Sequence, residues 1–144
     1  MLPNLLVAWC LMALCVAIHA TGIAGVLRHR PSLPAGRQGM WPLTWQLIRL
    51  AGWIIFLHLA EITLWAVFYV WQQAMPDLHS ALYFSSVTYT TTGYGDLVLP
   101  PDWRLLGGVE ALTGILMCGW STGFFFAVFV RMLQPRRDDS SPQP

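Results

Sequence analysis

The chain has 144 residues, of which 56% are hydrophobic and only 10% charged, against roughly 25% charged in an ordinary soluble domain. With a mean hydropathy of +0.53, this excludes an ordinary soluble domain and defines one integral membrane domain. The formal net charge is +1, all 8 basic residues are arginine, and the lack of a basic face excludes nucleic acid as a partner.

The first apolar stretch runs over about 3–27 (PNLLVAWCLMALCVAIHATGIAGVL). It exceeds the ~20 residues a helix needs to cross ~30 Å of hydrocarbon. A cleaved signal peptide would carry basic residues ahead of its apolar run; here Arg28 and Arg30 follow it, so it reads as a retained helix. His19 lies within it, as do Cys10 and Cys15; with Cys118 these cysteines have no disulfide or metal spacing and read as apolar packing residues.

A second stretch covers about 47–71 and a third about 105–133. Cytoplasmic loops retain positive charge, so the loop 28–46 and the tail from Arg131 are both expected inside. That puts the N-terminus outside and the C-terminus in the cytoplasm, in the cell (inner) membrane. Trp41 and Trp45 are expected at the inner interface, Trp71 and Trp103 at the outer one. The chain thus divides into an N-terminal helix and loop (1–40), a central unit (41–133) and a polar tail (134–144) expected to be disordered.

Between the second and third stretches, Pro76-Asp77 marks a helix start and LHSALYFSSVTY (78–89) a helix of a dozen residues. Such a helix is ~18 Å long, half a membrane. It is followed by TTTGYGD (90–96), a glycine-studded run. Irregular backbone at membrane depth is tolerated only when buried in protein or lining a wet cavity.

The order outer helix, short helix, TTTGYGD, inner helix resembles the pore of potassium channels, of the small prokaryotic two-helix type with one extra helix in front. The resemblance covers about 41–133. It implies an all-α membrane protein: three transmembrane helices, a re-entrant pore helix and a selectivity filter, built by four identical chains in membrane lipid. It implies a passive channel, not an enzyme, with no cofactor beyond the permeant potassium ion. Main-chain oxygens of Thr91, Thr92, Gly93, Tyr94 and Gly95 would replace the ion's hydration shell, with potassium held at Thr91, Thr92, Gly93 and Tyr94. That mechanism belongs to the family and comes with the resemblance.

The residue types suit that chemistry. Carbonyls on one wall all point the same way only if alternate residues take left-handed dihedrals, which glycine does without steric cost; Gly93 and Gly95 are placed for it. By resemblance, Tyr94 packs against pore-helix aromatics, with Tyr83 and Phe84 at the matching positions. The family's acid behind the filter is replaced by Val87, and its usual valine by Thr92, whose hydroxyl needs a partner. Asp96 and Asp102 would concentrate cations at the outer mouth, Asp102 also being a candidate surface pair with Arg104.

Gly114 and Gly119 are candidates for a gating hinge, with close packing as the alternative. Phe124, Phe125, Phe126 and Phe129 suit either a dewetting constriction or lipid contact. Glu61 and Glu110 fall within the spans, where ionisable groups face protein rather than lipid. Either would brace the pore helix through Ser85, Ser86 or Thr88, or simply bond between helices. His58 stands one turn before Glu61 on the same face, and His19 and His79 are candidate pH sensors. A non-selective cation channel, a non-conducting partner subunit and an intramembrane enzyme built on His58/Glu61 are the competing readings.

Overall fold

The computed structural model describes residues 2–28 and 40–133. Four helices carry the fold: α1 (Leu2–Arg28), α2 (Met40–Trp71), α3 (Leu78–Tyr89) and α4 (Arg104–Leu133), the last preceded by a single 3-10 turn at Pro101–Trp103. α1, α2 and α4 are each long and apolar enough to cross a membrane. The expectation for residues 134–144 lies outside the described residues.

α2 begins at Met40 rather than near residue 47. Nothing in 40–46 breaks a helix, because Pro42 falls in the first turn, where its missing N–H would be unpaired in any case. Trp41 and Trp45 therefore lie on the exposed first turns of α2 and not in a loop. At its other end α2 stops in a Schellman cap: Gln73 N donates to Val70 O (3.0 Å) and Ala74 N to Tyr69 O (2.9 Å). The left-handed residue of that cap is Gln73, with φ 56°, where glycine is usual.

α3 has the bounds and length that the sequence indicates. Asp77 caps it, accepting from Ser80 N at 2.8 Å and from Ser80 Oγ at 2.8 Å, which satisfies one of the orphan donors of a helix start.

Side-chain pairings fix the relative directions. Asn4 Nδ2 donates to Asp102 O (2.9 Å) and His19 meets Ser121 (2.8 Å), so α1 runs parallel to α4. Trp53 Nε1 donates to Gly22 O (3.1 Å) while His19 meets Glu61 (2.8 Å), so α1 runs antiparallel to α2. Tyr69 to Glu110 and Ser121 to His58 make α2 antiparallel to α4. α3 is wedged between α2 and α4, with Phe84 against Tyr69 (ring centroids 5.5 Å apart) and Gly107 beside Phe84. A buried cluster including Trp65, Tyr69, Phe84, Tyr89, Leu106 and Met117 fills the space between them.

Two glycines make this packing possible. A side chain at Gly22 would overlap Leu57, and one at Gly114 would overlap the backbone carbonyl of Tyr89. The end of α3 thus rests directly on α4. Gly119 has open space around it, and α4 is unbroken through both positions. We expect Gly114→Ala to lower stability by about 1–3 kcal/mol, since backbone cannot yield to the added methyl. Gly119→Ala should be neutral or slightly stabilising. Thermal unfolding of the two variants in the same detergent checks the contrast.

Candidate ion pathway and its buried polar support

From the last turn of α3 the chain enters the irregular segment while keeping hold of the helix. Thr90 N donates to Ser86 O (3.2 Å), Thr91 N to Thr88 O (2.9 Å) and Gly93 N to Val87 O (3.0 Å). Val87 supports the segment with its carbonyl alone. Positive φ falls on every second residue, at Thr91 (60°), Gly93 (53°) and Gly95 (78°). The two glycines have the left-handed geometry that sequence reasoning assigned to them. Thr91 was not anticipated there: a β-branched residue at positive φ is strained, by about 1–3 kcal/mol, and is held only by its surroundings.

Residues 90–98 are exposed on the single chain, Tyr94 to 71%. The hydroxyl of Thr92 finds its partner two residues back, at Thr90 Oγ1 (3.0 Å), and Thr90 Oγ1 in turn donates to Ser86 O (2.7 Å).

Within one chain the aromatics of α3 meet partners other than Tyr94. Phe84 is buried in the core against Tyr69. Tyr83, on a different face of the same helix, donates its hydroxyl to Asp96 Oδ2 at 2.7 Å. Adjacent positions on a helix lie about 100° apart, so the two rings diverge. Arg104 Nε donates to Leu99 O (3.2 Å), and among the described residues Asp102 and Arg104 form no ion pair.

Glu61, Glu110 and His19 are all fully buried, as the cost of ionisable groups in hydrocarbon requires. Glu110 accepts from Tyr69 of α2 at 2.8 Å. Ser85 interacts with Glu110, though neither Ser85 Oγ nor Glu110 Oε1 completes a hydrogen bond. Glu61 reaches the pore helix through a residue the sequence reading did not single out for it, the Tyr89 hydroxyl, which donates to Glu61 Oε2. Ser86 instead donates to Leu82 O (2.7 Å).

The contacts around Glu61 close into a ring of five side chains drawn from all four helices. His19 Nδ1 meets Glu61 Oε1 (2.8 Å), Glu61 Oε2 meets Tyr89 OH, and Tyr89 OH meets His58 Nδ1 (3.2 Å). Ser121 Oγ then joins His58 Nε2 (3.0 Å) to His19 Nε2 (2.8 Å). His58 Nδ1 also lies 3.7 Å from Glu61 Oε2. The sequence signal for this ring was present in part: each ionisable side chain in an apolar helix needs a partner. Ser121 carried no such signal, and no periodicity fixes the rotation of α1.

The family described as "Ion channel" matches residues 47–131, more than half of the chain and spanning most of α2 through most of α4. The protein belongs to this ion channel family and is a multi-pass membrane protein, with α1 as an additional helix outside the matched region. No curated protein and no solved structure matches it.

The Tyr83 bond holds the Asp96 carboxyl below the usual carboxylate range and pushes the Tyr83 phenol up. A lowered acid stabilises the contact above its ordinary pKa of about 3.9, and that stabilisation is lost as pH falls through the lowered value. The raised phenol sets the other limit: its share is full below about 10 and is lost as pH rises through the raised value. Tyr83→Phe should return the Asp96 titration, followed by carboxyl carbon-13 NMR, upward to the ordinary range. An unchanged midpoint would show that the bond does not operate in solution.

Proposed function

We propose that four copies of the chain surround one axis as a passive, potassium-selective channel. The observation that carries this reading is the alternation of left-handed dihedrals at Thr91, Gly93 and Gly95 within TTTGYGD. Alternating hand allows successive carbonyls of one strand to share a side, which a dehydrated cation requires. One chain offers one such wall and leaves it uncovered, so the remaining walls come from further copies. The family membership supports conduction. The half-length pore helix, whose partly negative C-terminal end precedes the filter, favours a cation.

In this reading Thr91, Thr92, Gly93, Tyr94 and Gly95 bind the ion, Asp96 and Tyr83 hold the outer end of the filter, and Glu61 and Glu110 support it from behind. Gly119 is better placed than Gly114 for an inner-helix bend, since Gly114 is committed to the Tyr89 contact. The N-terminus is outside and the C-terminus inside the cell membrane. The channel performs no reaction and needs no cofactor or nucleic acid. A non-selective cation channel is the second reading, favoured by Thr92, whose hydroxyl bonds to Thr90 rather than anchoring behind the filter.

The test is ion substitution on purified protein in planar bilayers, with native mass spectrometry for copy number. We expect four copies, potassium currents, and little sodium current. Gly93→Ala, which forces a side chain into a left-handed position (φ 53°), should reduce potassium current at least roughly tenfold. Equal permeabilities select the second reading, and a dimer removes both.

A further inference from the structure

The ring around Glu61 has a property that follows from counting its hydrogens. It has five side chains and five contacts, so a fully bonded ring needs five protons. With Glu61 ionised and both histidines neutral, the donors are Tyr89, Ser121 and one N–H on each imidazole, and these supply only four. One contact must then set lone pair against lone pair. Adding a single proton completes the ring, whether it resides on His19, on His58 or on Glu61, and it also makes the ring electrically neutral. In hydrocarbon, where neither an unpaired group nor a net charge is tolerated cheaply, the two states differ sharply.

The carboxylate restricts where the four-proton ring can break. The carboxylate retains its two donors, His19 and Tyr89, because an ionised buried carboxylate has the most to lose. The gap then falls on one of three contacts, Tyr89–His58 or the two made by Ser121, and the two of Ser121 yield first because it is the smallest and most easily turned member. Its hydroxyl can swing back to the carbonyl one turn earlier, as Thr113 does to Val109 O (2.8 Å) and Thr122 to Cys118 O (2.8 Å) on the same helix. Loss of the proton thus loosens α4 from α1 or α2, while the Glu61–Tyr89 support of the filter persists.

We propose that the ring His19–Glu61–Tyr89–His58–Ser121 is a binding site for one proton whose occupancy sets how firmly the inner helix is tied to its neighbours, and so how readily the pore opens. The conduction part of this proposal rests on the channel reading above. The groups facing Glu61 are His19 and Cys15 from α1, His58 from its own helix, Tyr89 from α3, and Cys118 with Ser121 from α4. A divalent metal is the rival occupant, since ligand atoms of His19, His58 and Glu61 lie within 4.8 Å of one another. Tetrahedral zinc holds its ligand atoms about 3.3 Å apart. Here His19 Nδ1 and Glu61 Oε1 are 2.8 Å apart, and the Tyr89 hydroxyl bonds to both Glu61 and His58. Hydrogens, not a metal, fit those spacings.

Two substitutions separate the states. The amide in E61Q both donates and accepts, so the ring closes with no extra proton. S121A removes the two contacts that compete for it, so none is needed. In full-length protein in proteoliposomes between about pH 5 and 8, we expect wild-type potassium flux to rise roughly tenfold toward alkaline pH. The potassium-to-sodium ratio should stay constant. E61Q should remain at the low acid value throughout, S121A at the high alkaline value, and His79→Gln should keep the wild-type profile. Nitrogen-15 NMR of the imidazoles should show His19 and His58 sharing one transition that E61Q abolishes. Should S121A fail to fold, the near-isosteric E61Q carries the test.

Independent histidine titrations, or a wild-type pH profile in E61Q, would overturn the proposal. So would a response that appears only with added zinc and vanishes with chelator. A shared histidine transition without flux at any pH would retain the proton site and overturn the channel reading.

Discussion

A carboxylate with no exposure to solvent, carried on a membrane-spanning helix, dictates how the helices of this protein meet. Glu61 must be paired, because hydrocarbon offers no water. Its partners come from α1 and from the last residue of the pore helix. The histidine that pairs with it is tied in turn to the inner helix through Ser121. One acid therefore links the pore helix, both long helices of the channel domain and the additional helix. Glu110 plays a smaller part of the same kind, joining α2 to α4 through Tyr69.

The irregular segment depends on that scaffold. A chain with φ 60° at Thr91 does not hold that conformation by intrinsic preference. The hydrogen bonds from Thr91 and Gly93 back onto Thr88 and Val87 hold it, and Tyr89 lies between the helix that accepts them and the carboxylate behind. At the outer end, Tyr83 and Asp96 close the segment onto the same helix. Support thus comes from three directions: helix C-terminus, buried acid and surface acid.

Much of this was legible in the residues. The pore helix was readable because Asp77 is a strong cap and because the apolar length that follows is too short to span. Gly93 and Gly95 were readable because only glycine takes left-handed dihedrals freely. Thr91 was not, since strain at a non-glycine residue is imposed by tertiary contacts that sequence does not display. The faces of Tyr83 and Phe84 were assigned together although neighbours on a helix point apart. That Glu61 needed partners was plain; which partners depended on the rotation of α1, and helices as uniformly apolar as these carry almost no periodic signal to set it.

The position of His19 gives α1 a status that its place outside the matched domain does not suggest. A two-helix pore excised at residue 40 would keep Glu61 but lose the hydrogen-bond partner of Glu61 Oε1, which is also one of the two imidazoles held by Ser121. The minimal pore cannot be reached by truncation alone. An engineer who wanted it would also have to replace the acid with something apolar, and in doing so would disconnect the rear support of the 90–96 segment from the rest of the bundle.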